Sequence, residues 1–182
     1  MRITILNGNP DAIHVAFDDY LGRLVEGLAP AHQVTRLDLR EVKVAYCTGC
    51  WGCWVKTPGE CATRDDSADV CRAAINADLL LLASPLRMGF ISALLKKSLD
   101  KMIPLVHPYI VADQGEAHHR ARYDAYPLLA LLLEQGPDAD AEDVAITADI
   151  LSRTSLNLKS QLAFTRLTDA PVAEVIHAID SL

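Results

Sequence analysis

Four of the chain's five cysteines fall between Tyr46 and Cys61, in "YCTGCWGCWVKTPGEC". Cys47, Cys50, Cys53 and Cys61 are spaced C-x2-C-x2-C-x7-C. Thiols three residues apart can converge on one centre if the backbone coils, and Gly49, Gly52, Pro58 and Gly59 supply that freedom. Four thiolates are what a [4Fe–4S] cube or a tetrahedral zinc needs. The close spacing of the first three favours the cube, because zinc usually takes separated pairs. The other reading is packing, since free cysteine is a common buried small hydrophobe, and Trp51 and Trp54 alongside suit that role. Cys71 sits at an apolar spacing on an expected helix and reads as core.

Two further stretches could carry chemistry. In "NGNPDAIHVAF", Gly8 permits a tight turn, and a helix starting near His14–Ala16 would aim backbone N–H groups at an anion. Asn9, His14, Val15 and Ala16 are the candidate contacts, with His14 as an added donor. The stretch is neither a GxGxxG fingerprint nor a P-loop, so a plain strand-to-helix turn reads as well. In "SPLRMGFI", Pro85 and Gly89 hold the backbone around Leu86, Arg87 and Met88 in an irregular path, and its N–H groups can face a planar ring. Arg87 would favour negative charge building up on a reduced ring, or it is a solvated loop residue. The adjacent His118 and His119 read as solvated, or as lining a lid or subunit contact.

The elements that must position these residues alternate. Arg2–Asn7, Gln33–Leu39, Leu79–Ala83, Pro127–Leu133 and Gln161–Leu167 read as strands. Helical patterns follow: Phe17, Tyr20, Leu21, Leu24, Val25 and Leu28; a segment capped by Ser67 carrying Val70, Ala74 and Ala77; then Ile91–Ile103, Ala141–Leu156 and Val172–Leu182. Lys96 and Asp100 can pair across one turn. Such alternation implies an α/β fold with a doubly wound, five-stranded parallel sheet. Its order is 2-1-3-4-5, and its switch point lies outside the carboxyl ends of strands 1 and 3. The loop after strand 4, around Gly136, opens on the same edge. Pro104–Tyr126 has no clear period and suits a lid or an arm at a subunit contact.

The chain's 182 residues suit a single domain, 1–182, with 51% hydrophobic and 23% charged residues. The net charge of −7 and the lack of a Lys/Arg cluster beyond Lys96–Lys97 argue against nucleic acid. Its longest apolar run is too short for a bilayer. The chain opens directly with "RITILNGN", without a basic segment leading into an apolar one. A cytoplasmic protein handling small molecules is the expectation, in which clustered cysteines mean metal, redox chemistry or packing rather than structural disulfides.

The stretches "CTGCWGCWVKTPGECATRDD" and "ADLLLLASPLRMGFISALLKKSLDK" resemble the NADPH-dependent FMN reductase family of flavodoxin-like proteins, and its branch of iron–sulfur flavoproteins. Cys47, Gly49, Cys50, Cys53, Pro58, Gly59, Cys61, Asp65 and Asp66 fall on the first motif; Pro85, Gly89, Lys96 and Asp100 fall on the second. The resemblance implies a bound FMN, with its phosphate at Asn9 and His14–Ala16 and its ring against Pro85–Phe90, near Gly136. It also implies a homodimer or homotetramer and electron traffic from NAD(P)H to a small-molecule acceptor. The chain departs from the family in having Ile13, His14, Val15 and Ala16 where hydroxyls and amides usually follow the glycine, and Arg87 and Met88 where aromatics often stand. Three readings follow: an FMN-dependent NAD(P)H oxidoreductase, an iron–sulfur flavoprotein with a cluster on Cys47, Cys50, Cys53 and Cys61, or a flavodoxin-like module that has lost FMN.

Overall fold

The computed structural model describes residues 1–113 and 115–182. In chain order the elements are β1 (Arg2–Asn7), α1 (Val15–Leu28), β2 (Gln33–Asp38), α2 (Gly52–Val55), α3 (Ser67–Ile75), β3 (Leu79–Arg87), β4 (Phe90–Ile91), α4 (Ala93–Asp100), β5 (Val106–Asp113), β6 (Glu116–Ala121), β7 (Leu128–Glu134), α5 (Ala141–Asn157), β8 (Leu162–Leu167) and α6 (Val172–Asp180). The parallel sheet runs β2-β1-β3-β7-β8. This is the expected doubly wound, flavodoxin-like order.

The leucine runs explain the centre of the sheet. Leu79–Leu82 lie between Ile3–Leu6 on one side and Leu128–Leu131 on the other. A strand covered on both faces has no polar face to show, so β3 and β7 lack alternation. On one face, Ile3, Ile5, Leu79, Leu81 and Leu132 pack under Phe17, Leu21 and Leu24 of α1 and Val175 and Ile179 of α6. On the other, Leu6, Leu80, Leu82, Leu129 and Leu131 pack under Val70 of α3, Leu95 of α4 and Leu151 of α5. Each fully buried leucine contributes about 2 kcal/mol of transfer free energy.

Several boundaries differ from the sequence reading. β3 continues past Ala83 to Arg87, so Pro85 and Leu86 are strand residues rather than an irregular loop. Pro85 is tolerated because pairing with β1 has already ended at Asn7–Ala83, so its missing N–H leaves no gap on that side. Leu86 and Arg87 fold back antiparallel onto Ile91 and Phe90 of β4. The two-residue turn is Met88–Gly89, both at positive φ (53° and 75°), as such hairpin turns require. The helix expected at Ile91–Ile103 is the shorter α4, and Ser92 caps it by accepting the Leu95 N–H. Its Lys96–Asp100 pair forms as expected. Ser67 does not cap α3; Asp65 accepts the Ser67 N–H instead. Pro104–Tyr126 contains a separate two-stranded sheet of β5 and β6. Both strands face solvent over most of their length, so no hydrophobic period marks them.

One junction sets the sheet's carboxyl edge. The Gly8 N–H donates to the Ala83 carbonyl at 2.7 Å, and the Ser92 hydroxyl donates to the Gly8 carbonyl at 2.5 Å. A Cβ at Gly8 would stand 2.9 Å from Leu95 Cβ, 3.0 Å from Ser92 Oγ and 3.1 Å from Ala83 O. Beside it, Asn7 donates to Asp18 and Asp38, both at 2.6 Å, which ties β1 to α1 and β2.

The Cys-rich loop is tied down by two acids. Asp65 accepts from Ala45 N at 2.9 Å and Asp66 from Lys43 N at 2.7 Å. Burial pushes the Asp65 carboxyl up. The Ser67 hydroxyl, the Ala45 and Ser67 amides and the Lys101 charge more than offset it, and its pKa falls to about 2.

Two outcomes are expected. Gly8→Ala should cost about 2 kcal/mol by overpacking, read as a lower denaturant midpoint at unchanged slope. Ionised Asp65 stabilises the fold above its unfolded pKa of about 4, and that contribution is lost as pH falls through about 2. Asp65→Asn should therefore flatten the loss of stability across that window. A denaturation series with the same acid slope in both proteins would contradict this.

Candidate functional site

Three connections meet at the carboxyl edge: the turn after β1, the β3–β4 hairpin, and the loop after β7. In the first, Asn9 is fully buried and serves the turn itself. Its N–H donates to Asn7 Oδ1, its Oδ1 accepts from Asp11 N, and its Nδ2 donates to the His14 carbonyl. The Ile13 amide donates to Asp11 Oδ1, and the His14 and Val15 amides donate to the Asp11 and Ile13 carbonyls. These five amides are thus engaged within the turn. No side chain caps α1, so the first-turn amides of Ala16 and Phe17 are open to an anion.

His14 Nε2 lies 3.2 Å from Glu134 Oε2 at the end of β7. The expected phosphate donor therefore already has a partner, and that contact joins the first connection to the third. Gly136 joins the third to the second, because a Cβ there would lie 3.8 Å from the Leu86 carbonyl. Pro85 and Leu86 are buried, Phe90 is half-buried, and Met88 at the hairpin tip is 98% exposed. Gly89 leans on α5, where its carbonyl accepts from Thr147 Oγ1 at 3.4 Å. Arg87 is exposed and forms no hydrogen bond or ion pair among the described residues. The structure thus gathers Val15, Ala16, His14, the hairpin and Gly136 along one edge, with Asn9 beneath it as support.

The Cys loop forms a second centre. Cys47, Cys50, Cys53 and Cys61 all line one cavity of about 20 Å³, room for roughly one water. Cys47 and Cys50 are exposed, Cys61 is half-buried, and Cys53 is 6% exposed. Among the described residues, no three His, Cys, Asp or Glu side chains gather closely enough to hold one metal ion. Beside Cys61 lies Lys101, which is 3% exposed. Its ammonium donates to Cys61 Sγ at 3.2 Å and lies 3.4 Å from Asp65. Burial lowers the Lys101 pKa, but Cys61 and Asp65 outweigh it, and the group titrates above its ordinary value.

The backbone of Gly52, then the Thr48 side chain, favour the Cys50 thiolate and bring its pKa below the ordinary thiol value. Burial, then the neighbouring Cys61, pushes Cys53 up. Burial lifts Cys71 to about 12; it packs against the core as expected. The Trp54 ring lies 5.0 Å from Trp51 and 4.8 Å from His119 of β6. Trp54 Nε1 donates to the Ile103 and Val106 carbonyls. The hairpin of β5 and β6 is therefore seated on the Cys loop. His118 is buried beside Glu116 and Asn157, so neither histidine of the pair is simply solvated. The sequence reading missed Lys101 and Glu134. Each is a single charged residue at the end of an element, with no pattern to mark it.

Comparison with known proteins adds three findings. The family model "NADPH-dependent FMN reductase" matches residues 1–126. An iron-sulfur flavoprotein of Archaeoglobus fulgidus is 36% identical over 75 residues, which is 41% of this chain and 33% of that protein. One from Clostridioides difficile is 29% identical over 104 residues, 56% and 45% of the two chains. The matches thus span between a third and a half of these relatives' lengths. Among solved structures, an NAD(P)H:quinone oxidoreductase from Methanothermobacter marburgensis superposes with a TM-score of 0.67 at 18% identity, covering 100% of this chain and 94% of that one. An FMN-dependent NADH-azoreductase from Bacillus anthracis, in complex with FMN, gives 0.64 at 14% identity, covering 100% and 95%. These structural likenesses bear out the fold. With the family match reaching from the first strand through the Cys loop to the β5–β6 hairpin, the chain belongs to the NADPH-dependent FMN reductase family.

Proposed function

We propose that residues 1–182 act as one flavodoxin-like domain that binds FMN and passes electrons from NAD(P)H to a small-molecule acceptor. The observation that carries this reading is the meeting of the uncapped start of α1 with the exposed β3–β4 hairpin at the sheet's switch point. The fit to FMN lies at the helix end rather than along the turn. The Ala16 and Phe17 amides can hold the phosphate; the Asn9, Ile13, His14 and Val15 amides are already bonded. Leu86 to Phe90 and Gly136 would border the flavin ring. FMN, when bound, accepts and releases hydride. Arg87, with its charge uncommitted, favours the reduced anion.

Asp11 and Glu134 work against an anion here. A chain that has lost FMN is the competing reading, and equilibrium titration with FMN decides between the two. Saturable quenching of flavin fluorescence supports the proposal, and its absence sinks it. The exposed Tyr109 and Ile110 of β5 support a homodimer or homotetramer that uses the hairpin as an arm. No described helix is long and apolar enough to cross a membrane.

A cluster on Cys47, Cys50, Cys53 and Cys61 is a second reading. The shared cavity and the names of the matched relatives favour it. The residues as placed do not fit it, since no three of the described thiols gather closely enough to hold a metal ion and Lys101 donates to Cys61. Iron and acid-labile sulfide on anaerobically purified protein test it directly.

For the main reading, Arg87→Ala should make bound flavin harder to reduce, lowering its midpoint potential on the order of 20 mV. This is what about 1 kcal/mol from one exposed charge gives for two electrons. An unchanged potential at full FMN occupancy would remove Arg87 from this role.

A further inference from the structure

The turn after β1 holds no hydroxyl side chain of its own for an anion. His14 is held by Glu134, and Asp11 adds a carboxylate. An anion at the start of α1 therefore needs a cation from another element, and the chain after β2 supplies one. Leu39 is fully buried, and its N–H donates to the Asn7 carbonyl at 3.0 Å. Contact with β1 thus continues one residue past β2. The Glu41 N–H then closes a turn on the Asp38 carbonyl at 2.9 Å. Arg40, inside that turn, reaches across to the β1–α1 connection. Its Nη1 lies 2.9 Å from Asp18 Oδ2, in the first turn of α1, and donates to the Asn9 carbonyl at 3.5 Å. The guanidinium thus stands where the turn and the helix start come together, one residue along from the open amides of Ala16 and Phe17.

The neighbouring Arg36 has spent its donors. It gives Nε to Asp38 at 2.9 Å and Nη1 to the Asp18 carbonyl at 3.1 Å. Its Nη2 lies 2.8 and 3.3 Å from the Asp38 and Asp18 carboxylates. Arg36 is a structural bridge. Arg40 is not used up in this way. Its Nη2 has no partner among the described residues, and its Nε has only the exposed Glu41 carboxylate at 4.0 Å. Asp18 does not depend on Arg40, because Asn7 and Arg36 also donate to it. Arg40 can therefore turn an edge to a ligand without leaving a buried carboxylate unpaired. Its side chain is 21% exposed, held in place and still within reach of solvent.

We propose that Arg40 is the cation that selects a phosphomonoester at the start of α1, so that the site takes FMN in preference to the phosphate-free riboflavin. This rests on the FMN reading above. Arg40 brings planar, charge-assisted donors in place of the hydroxyl side chains that the turn lacks, and the Ala16 and Phe17 amides complete the set. Arg40 acts on the phosphate and not on the flavin ring. It therefore separates the two flavins by the one group in which they differ.

The experiment titrates the full chain with FMN and with riboflavin, read by quenching of flavin fluorescence. The wild type should bind FMN more tightly. Arg40→Ala should weaken FMN roughly tenfold, the worth of one hydrogen bond to a charged group, and leave riboflavin unchanged. Arg40→Lys should recover part of the preference, because it keeps the charge without the planar fork. Added salt should weaken FMN on the wild type more than on Arg40→Ala. A purely structural role would weaken both flavins together. If the variants fail to fold, wild-type protein treated with phenylglyoxal and mapped by mass decides: FMN should shield Arg40, and riboflavin should not. Equal wild-type affinity for the two flavins, an Arg40→Ala protein that keeps its preference or loses both flavins alike, or an Arg40 shielded equally by both would each overturn the proposal while leaving FMN binding intact. A wild type that binds neither flavin removes the FMN reading itself, and this proposal with it.

Discussion

The missing side chain at Gly8 is the constraint on which the candidate site depends. β1 and β3 lie side by side up to Asn7 and Ala83 and then diverge, and the gap they leave is where a doubly wound sheet takes its ligand. At that point the Gly8 backbone meets Ser92 at the start of α4 and the Ala83 carbonyl of β3, each within about 3 Å. Ser92 serves two elements at once, capping α4 and donating to Gly8. The turn, the hairpin and the helix therefore share one set of hydrogen bonds. None can shift without moving the others.

How much of this was legible follows from which forces act. Leucine runs at β3 and β7, and the helical spacing of α1, report burial, and burial is what hydrophobic pattern encodes. The five-stranded order was accordingly readable. The β5–β6 hairpin was not, because solvent-facing strands leave no such trace. The extension of β3 through Pro85 was missed because proline reads as a break; its tolerance depends on where the neighbouring strand ends. At the site, residue types were legible and their partners were not. His14 looked like a free donor, and the Glu134 that occupies it lies at the far end of another strand.

The same holds at the Cys loop. Spacing alone makes four thiols look equivalent. The fold makes them different by placing one buried cation among them: Lys101 fastens Cys61 and Asp65 together, and Asp65 in turn fastens the loop through Ala45 and α3. A lysine is buried at this level only when its charge is matched, so Lys101, Cys61 and Asp65 form one unit. That unit gives the loop a fixed end at Cys61, while Cys47 and Cys50 stay at the surface.

The two tryptophans of the chain are stacked in this same loop. All of the protein's indole emission therefore comes from one place, beside four sulfur atoms and against a histidine ring of the hairpin. The chain carries a built-in optical probe of its own thiol centre, read without any label and blind to the rest of the fold.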